Sequence, residues 1–508
     1  MTTTATAVST AVTATPWVTA AMLAPLLAPL AAASAVGAAG WRRATGHATV
    51  AAALATLASG GILAAAVDQG HVFAAGHLLR ADALSAVMTI VIGAVATLAT
   101  WGSISYLDTE RARGHTTPAR TRTYGILVNL FLATMALAVL ANNLGVVWVA
   151  IEGTTVATAF LVGHRRTRGS LEATWKYVII CSVGIALAFL GTVVLYFASV
   201  HAGADGGGGE GGLDFDTLAA AAPRLDPDVT RLAVALLLLG YGTKAGLAPF
   251  HTWLADAHSQ APAPVSALMS GVLLSVAFTT LLRVKVISDG ALGPGFLRAG
   301  LLTLGLATLL VAALLLVGQR DYKRMLAYSS QEHMGLLAIA AAAGTTLAIA
   351  ALLLHVLAHG LGKAVLFLSA GHLQLAHDST AIADARGVLT RGPLLGTVFG
   401  AGLAALLGLP PFALFASEVG IARGAANAHL TWPLVAALIA VLVAFVALTR
   451  HGIDLLVGPA APDGPELRLR PTAAAPLVVG VVACVALGLT AGPLEHLLTT
   501  AGGLPAPR

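Results

Sequence analysis

Six ionisable residues stand inside otherwise apolar stretches: Glu152, Lys244, His355, His359, Lys363 and Glu418. A charge held at the centre of a bilayer costs roughly 2.5–3.5 kcal/mol on insertion scales. A retained charge therefore needs a reason. One reason is a helix-to-helix salt bridge, or a side chain that snorkels to the surface. Several charges deep in apolar runs point instead to an ion path. Lysine suits such a path because its proton affinity moves readily when a carboxylate approaches or leaves.

The spacing of these residues is informative. His355, His359 and Lys363 fall at i, i+4 and i+8. Successive members turn by about 40° on a helix and make one stripe about 12 Å long. Three stacked titratable groups read as a proton relay. Two histidines at i, i+4 also suit a metal, but the third residue is Lys and no Glu-x-x-His accompanies them, so no metal site is expected. Glu152 is flanked by Val146, Val147, Trp148, Val149 and Ile151, which makes snorkelling difficult. Lys244 lies among Gly240, Gly242, Gly246 and Pro249, and Glu418 follows Pro410 and Pro411. Both segments are easy to break, and broken helices at mid-membrane free backbone groups and admit water.

Weaker candidates surround these. His333 lies early in an apolar run, within Tyr328–Gly335, and His258 lies just before another; either could be a loop residue. Glu172 and Lys176 are spaced i, i+4, so Lys176 also reads as half of an interfacial ion pair.

The elements that must hold these residues follow from composition. Of 508 residues, 57% are hydrophobic and 10% are charged. Soluble domains carry roughly 25% charged residues. Much of the surface must therefore face lipid, and lipid permits only helices for such runs. Fourteen spans are expected, near 17–37, 47–67, 83–105, 122–140, 144–163, 173–198, 231–250, 262–286, 298–318, 324–343, 345–370, 394–422, 432–449 and 474–498. The fold class is all-α, a polytopic membrane protein with two broken helices.

The Lys244 and Glu418 helices lie five spans apart, an odd number, so they run in opposite directions. That pattern is expected of two inverted five-helix repeats. The organisation is then 1–121 for helices 1–3, 122–286 for the first repeat (helices 4–8), 298–449 for the second (helices 9–13) and 450–508 for helix 14.

The net charge of +5 reads as topology signal rather than as a nucleic-acid surface, since the basic residues sit in short loops. Alternate loops differ about twofold in Lys and Arg, which puts both termini outside. Lys176, Lys244 and Lys363 are the basic residues left in or near spans. Cys181 and Cys484 both sit in apolar runs and support neither a disulfide framework nor a metal site. Residues 1–16 lack a basic n-region and do not read as a signal peptide. The run Gly206–Gly212 reads as a flexible loop, because no Lys-Ser/Thr follows it.

Several segments carry a family resemblance: Asn142–Glu152, Ser170–Tyr177, Gly240–Leu254, Asp256–Leu268 and Tyr328–Gly335. In these the chain resembles the antiporter-like subunits of respiratory complex I and of Mrp antiporters, and most nearly the hydrogenase-4 component F group. The resemblance implies a prokaryotic cytoplasmic-membrane subunit that translocates protons beside other membrane subunits and has no cofactor of its own. It implies that Glu152 and Lys244 pair, that His333, His355, His359 and Lys363 form a central axis, and that Glu418 ends it. One departure is Ser275, where several relatives carry Lys; His258, Ser275 or water would then bridge the halves. A second implied reading is a proton or sodium channel that energises a non-redox partner, a large carbonic-anhydrase-like protein in inorganic-carbon (bicarbonate) uptake.

Overall fold

The computed structural model describes residues 12–13, 15–68, 70–204, 212–460 and 464–503. The run 206–211 and most of the N-terminal segment 1–16 lie outside the described residues. Helices dominate. The first six long ones are Pro16–Ala39, Arg43–Ala66, Ala83–Ala112, Pro118–Leu140, Leu144–Val162 and Arg168–His201. Pro227–Lys244, the short helix Trp253–Gln260, and Ala263–Leu292 follow. Gly295–Val317, Tyr322–Ala343 and Thr346–His377 come next, then Pro393–Leu406, Ala413–Asn427, Thr431–Val457, Pro471–Leu489 and Gly492–Gly502.

Many of these helices start where the sequence supplies a cap. Asp82, Thr117, Asn143, Thr167, Asp226, Asp321 and Thr345 each accept a backbone N–H of the first turn. Three short strands, Val12–Thr13, Val72–Ala74 and Leu79–Ala81, make a small sheet that the all-helical expectation missed. The hydrophilic insertion near 201–230 holds a two-turn helix, Phe215–Ala221.

Among the described residues, eleven helices are long and apolar enough to cross a membrane, or twelve if one bent pair counts as a span. The expected fourteen exceed that number. The expected runs 231–250, 324–343 and 394–422 are the ones that do not qualify as single apolar helices. The cause is physical. These are the segments that carry buried polar groups or breaks, so length and apolarity understate them.

Two helices occupy the centre. The most apolar stretch of Ala263–Leu292 is wholly buried, and that of Thr346–His377 is 94% buried. They touch at Gly271 and Gly360: a Cβ at Gly271 would stand 3.0 Å from the Gly360 carbonyl. Small residues let the two backbones approach, as membrane packing favours. A π-helical turn, Met269–Leu273, lies at this crossing.

Both expected helix breaks are present. Pro227–Lys244 ends at Lys244, and the chain turns through Gly246 at φ +78° and a cis Ala248–Pro249 bond before Trp253. Pro393–Leu406 ends ahead of Gly408 at φ +61° and a cis Pro410–Pro411 bond, and a helix resumes at Ala413. Glycine is the residue that adopts this left-handed backbone at no steric cost.

Candidate functional site

Lys244 stands in the last turn of its half-helix, where the helix dipole favours a cation. It is fully buried. Its ammonium donates to Thr155 Oγ1 at 2.9 Å and to the Tyr177 hydroxyl at 2.5 Å, and lies 4.7 Å from the Tyr177 ring centroid. The Thr158 hydroxyl donates to the Thr154 carbonyl, so the Tyr177 hydroxyl donates to Thr158 at 2.6 Å and accepts from Lys244. The Trp253 indole donates to the Thr243 carbonyl and so seals the break.

Glu152 is half-buried on the facing helix, three residues before Thr155, and one of its oxygens has no hydrogen-bond partner among the described residues. Among the described residues Glu152 and Lys244 form no ion pair; the lysine is held by neutral oxygens instead.

His258 is buried one turn beyond Trp253, and its ring centroid lies 6.0 Å from that of Trp253 and 6.2 Å from that of Phe367. Its Nδ1 faces the Leu254 carbonyl at 2.7 Å, and its Nε2 has no partner among the described residues. It is therefore a core residue of the short helix, not a loop residue. Ser275 is also buried, and its hydroxyl lacks a partner. On the same helix the Ser270 hydroxyl meets that of Ser330, from Tyr322–Ala343, at 2.6 Å.

The second cluster is denser. His355, His359 and Lys363 all lie buried on Thr346–His377. The rings of His355 and His359 are stacked at 6.3 Å, with His333 from the neighbouring helix 5.0 and 4.8 Å from them. His355 Nε2 meets His333 Nδ1 at 3.1 Å, and His355 Nδ1 meets Ser417 Oγ at 3.0 Å. The Ser417 hydroxyl already donates to the Leu414 carbonyl, so it accepts from His355 Nδ1–H. That fixes the neutral tautomer of His355: its Nε2 lone pair faces His333.

Lys363 faces the same neighbouring helix as the two histidines. It turns toward the His333 helix and donates to the Leu326 carbonyl at 2.7 Å and to Ser329 Oγ at 2.5 Å. Glu418 sits in the second turn after the break, with its carboxylate against Gly408: a Cβ there would stand 2.5 Å from Glu418 Oε2. Ligating atoms of His333, His355 and Glu418 all lie within 4.8 Å of one another. A cavity of about 60 Å³ beside them is lined by Glu332, His333, Leu406 and Glu418, among others.

Lys176 lies outside this row. It is 47% exposed and pairs with Glu172 at 2.6 Å and Asp256 at 3.1 Å, the interfacial arrangement its spacing suggested.

The structure adds residues that the sequence reading passed over. Glu332 is buried next to His333, 3.5 Å from its Nδ1. An acid in an apolar helix was a legible signal, since the same pattern singled out Glu152. Lys323 was counted as a loop residue but is fully buried, donating to the Ala261 carbonyl at 2.7 Å. Arg80, Arg283 and Lys285, also counted as loop charges, are buried as well. Arg80 and Arg283 close on Asp82, which ties the start of Ala83–Ala112 to the central helix. Burial alone would raise the Asp82 carboxyl, yet Arg283 and Arg80 hold it well below the usual carboxylate range.

The model of the family "NADH:quinone oxidoreductase/Mrp antiporter, TM" matches residues 141–444. The hydrogenase-4 component F homolog of Methylacidiphilum infernorum is 37% identical over 395 residues, 77% of this chain and 82% of that protein. A chain of the membrane-bound sulfane sulfur reductase, an archaeal respiratory membrane complex, superposes with a TM-score of 0.85 at 23% identity, over 96% of this chain and 97% of that one. A chain of respiratory complex I from Thermus thermophilus gives 0.74 at 26% identity, over 94% and 98%. This chain belongs to the NADH:quinone oxidoreductase/Mrp antiporter transmembrane family and is an antiporter-like, multi-pass membrane subunit.

Proposed function

We propose that this chain translocates protons along a buried row running from Glu152 and Lys244, past His258, to Lys363, His359, His333, His355 and Glu418. The observation that carries the reading is the donor–acceptor pattern of the row. Lys244 and Lys363 each donate to two neutral oxygens and to no carboxylate among the described residues. Each lysine can therefore give up a proton without leaving a bonded anion behind.

Beyond them, His333 and His355 form a pair that can pass one proton between facing nitrogens 3.1 Å apart. Buried polar atoms without partners recur along the row, at Glu152, His258, Ser275, Gln331, His333 and His359. Groups of this kind are ordinarily satisfied by internal water, which would complete the path where side chains do not touch. Ammonium groups relay protons but repel bare cations, and imidazoles are poor ligands for sodium, which favours protons over sodium.

The partners in this reading are other membrane subunits of a complex I-related assembly, as in the sulfane sulfur reductase and complex I that the fold resembles. Redox energy generated there would reach the row as an electrostatic or conformational change. No observation favours an inorganic-carbon partner, and none of the relatives described above is named for one.

The test is proton flux into proteoliposomes carrying the assembled complex. Lys244→Ala and Lys363→Ala should each reduce it at least about tenfold, equivalent to ~1.4 kcal/mol of barrier. Unchanged flux in both variants would remove this row as the path.

A further inference from the structure

We propose that His333, His355 and Glu418 form a binding site for a divalent ion of the zinc and cobalt class. Helical spacing pointed to His355 and His359 as the pair to weigh. The tertiary structure instead converges groups from three helices: His333 from Tyr322–Ala343, His355 from Thr346–His377, and Glu418 from the half-helix after the second break. One ligating atom of each lies within 4.8 Å of the other two.

The two nitrogens already stand at the spacing of a small tetrahedral ion, and the Glu418 carboxylate lies within 4.8 Å of them. His355 Nε2 and His333 Nδ1 are 3.1 Å apart. Two nitrogens bound at about 2.0–2.1 Å to one tetrahedral ion stand roughly 3.3 Å apart. The ion would take the place of the bridging proton with little movement of either ring.

The outer arrangement fits as well. His355 donates its far N–H to Ser417, which fixes the tautomer that leaves Nε2 free. Metal-binding histidines usually have such an orienting partner. Glu332, 3.5 Å from His333 Nδ1, supplies a second carboxylate beside a site whose single ligating acid would leave a 2+ ion half neutralised. The adjacent cavity of about 60 Å³, lined by both acids and His333, has room for a water as fourth ligand. Two imidazoles select zinc, cobalt, nickel or copper over sodium, magnesium or calcium.

The inference goes beyond the proton reading, and its test does not use transport. The full chain, purified in detergent micelles through a tag without histidine, is dialysed against Zn²⁺ and its metal content measured. Co²⁺ is added separately and its visible absorption recorded. The expected result is one tightly held Zn²⁺ per chain and the absorption of four-coordinate Co²⁺. His355→Gln and Glu418→Gln should each weaken binding at least about tenfold, and Ser417→Ala, which keeps all three ligands, by about tenfold or more. Zn²⁺ should also raise the unfolding temperature of the wild type and not that of His355→Gln. Two results would overturn the site: tight binding that survives both His355→Gln and Glu418→Gln, or a wild type that holds no more Zn²⁺ than a chain carrying His355→Gln and Glu418→Gln together. Flux measured with and without Zn²⁺ then reports on the proton row separately.

Discussion

The two broken helices share a plan and differ in what they hold. Each has a glycine in the left-handed region and a cis X–Pro bond, at Gly246 and Ala248–Pro249 or at Gly408 and Pro410–Pro411. Lys244 ends the half-helix before its break, where the dipole favours a cation. Glu418 follows its break, in the second turn of the resumed helix. Around Lys244 are hydroxyls and aromatic rings, and its ammonium is the only ionisable basic group packed there among the described residues. Around Glu418 are three histidines, a second acid and a cavity. In the proposed path the first region would hold or release one proton. In the same proposal the second would pass a proton among several groups. A break creates a polar position inside the membrane, and the facing helices decide whether it becomes a single site or a relay.

The strongest way to break this contrast is to remove each lysine's acceptors while keeping the lysine. Tyr177→Phe deletes the phenol that accepts from Lys244 and leaves the ring in place. Losing an acceptor for a buried charge costs roughly 1.5–3 kcal/mol, so proton flux should fall by roughly tenfold to a hundredfold in proteoliposomes. An unchanged rate would make the first region's packing irrelevant to transport.

Within the second region, His333→Gln and His355→Gln should each lower flux, and the double variant should be no worse than the poorer single. Residues that act as one unit are non-additive. Additive losses would mean that the two histidines serve separate routes.

A third change separates transport from support. Asp82→Asn leaves Arg80 and Arg283 buried without their shared anion, and breaking such a group typically costs about 3–5 kcal/mol. Unfolding temperature should fall, while flux per folded complex stays near wild type. Because the folded state holds Asp82 below the ordinary carboxylate range, its contribution is present at neutral pH and is lost as the pH falls through and below that range. Lys176→Ala should have the smallest effect. Its exposed pairs with Glu172 and Asp256 are worth about 0–1 kcal/mol, and flux should stay within about twofold.

Much of the fold was legible because lipid imposes a strong rule. Long apolar runs became helices, and glycine and proline marked both breaks. The spans 231–250, 324–343 and 394–422 read less cleanly as membrane helices because they carry the polar groups themselves. Lys323, Arg80, Arg283 and Lys285 show the limit of reading charges by position. Near a helix end the sequence does not say whether a basic residue points to water or inward.

The sequence by itself determined that ionisable groups are buried in this protein. Apolar neighbours around Glu152, Lys244, His355, His359, Lys363 and Glu418 leave little alternative, and helical period alone aligns the last histidines with Lys363. Only the tertiary structure decided which of these groups meet. Lys244 faces Thr155 and Tyr177 rather than Glu152, Lys363 bonds Leu326 and Ser329 of the His333 helix, and His333 and Glu418 converge on His355 from two other helices. Those choices depend on how helices cross, as at Gly271 and Gly360, and on which way each side chain turns. Contacts between residues far apart in the chain leave no period in the sequence, so spacing could place the two ends of the breaks but not what lies between them.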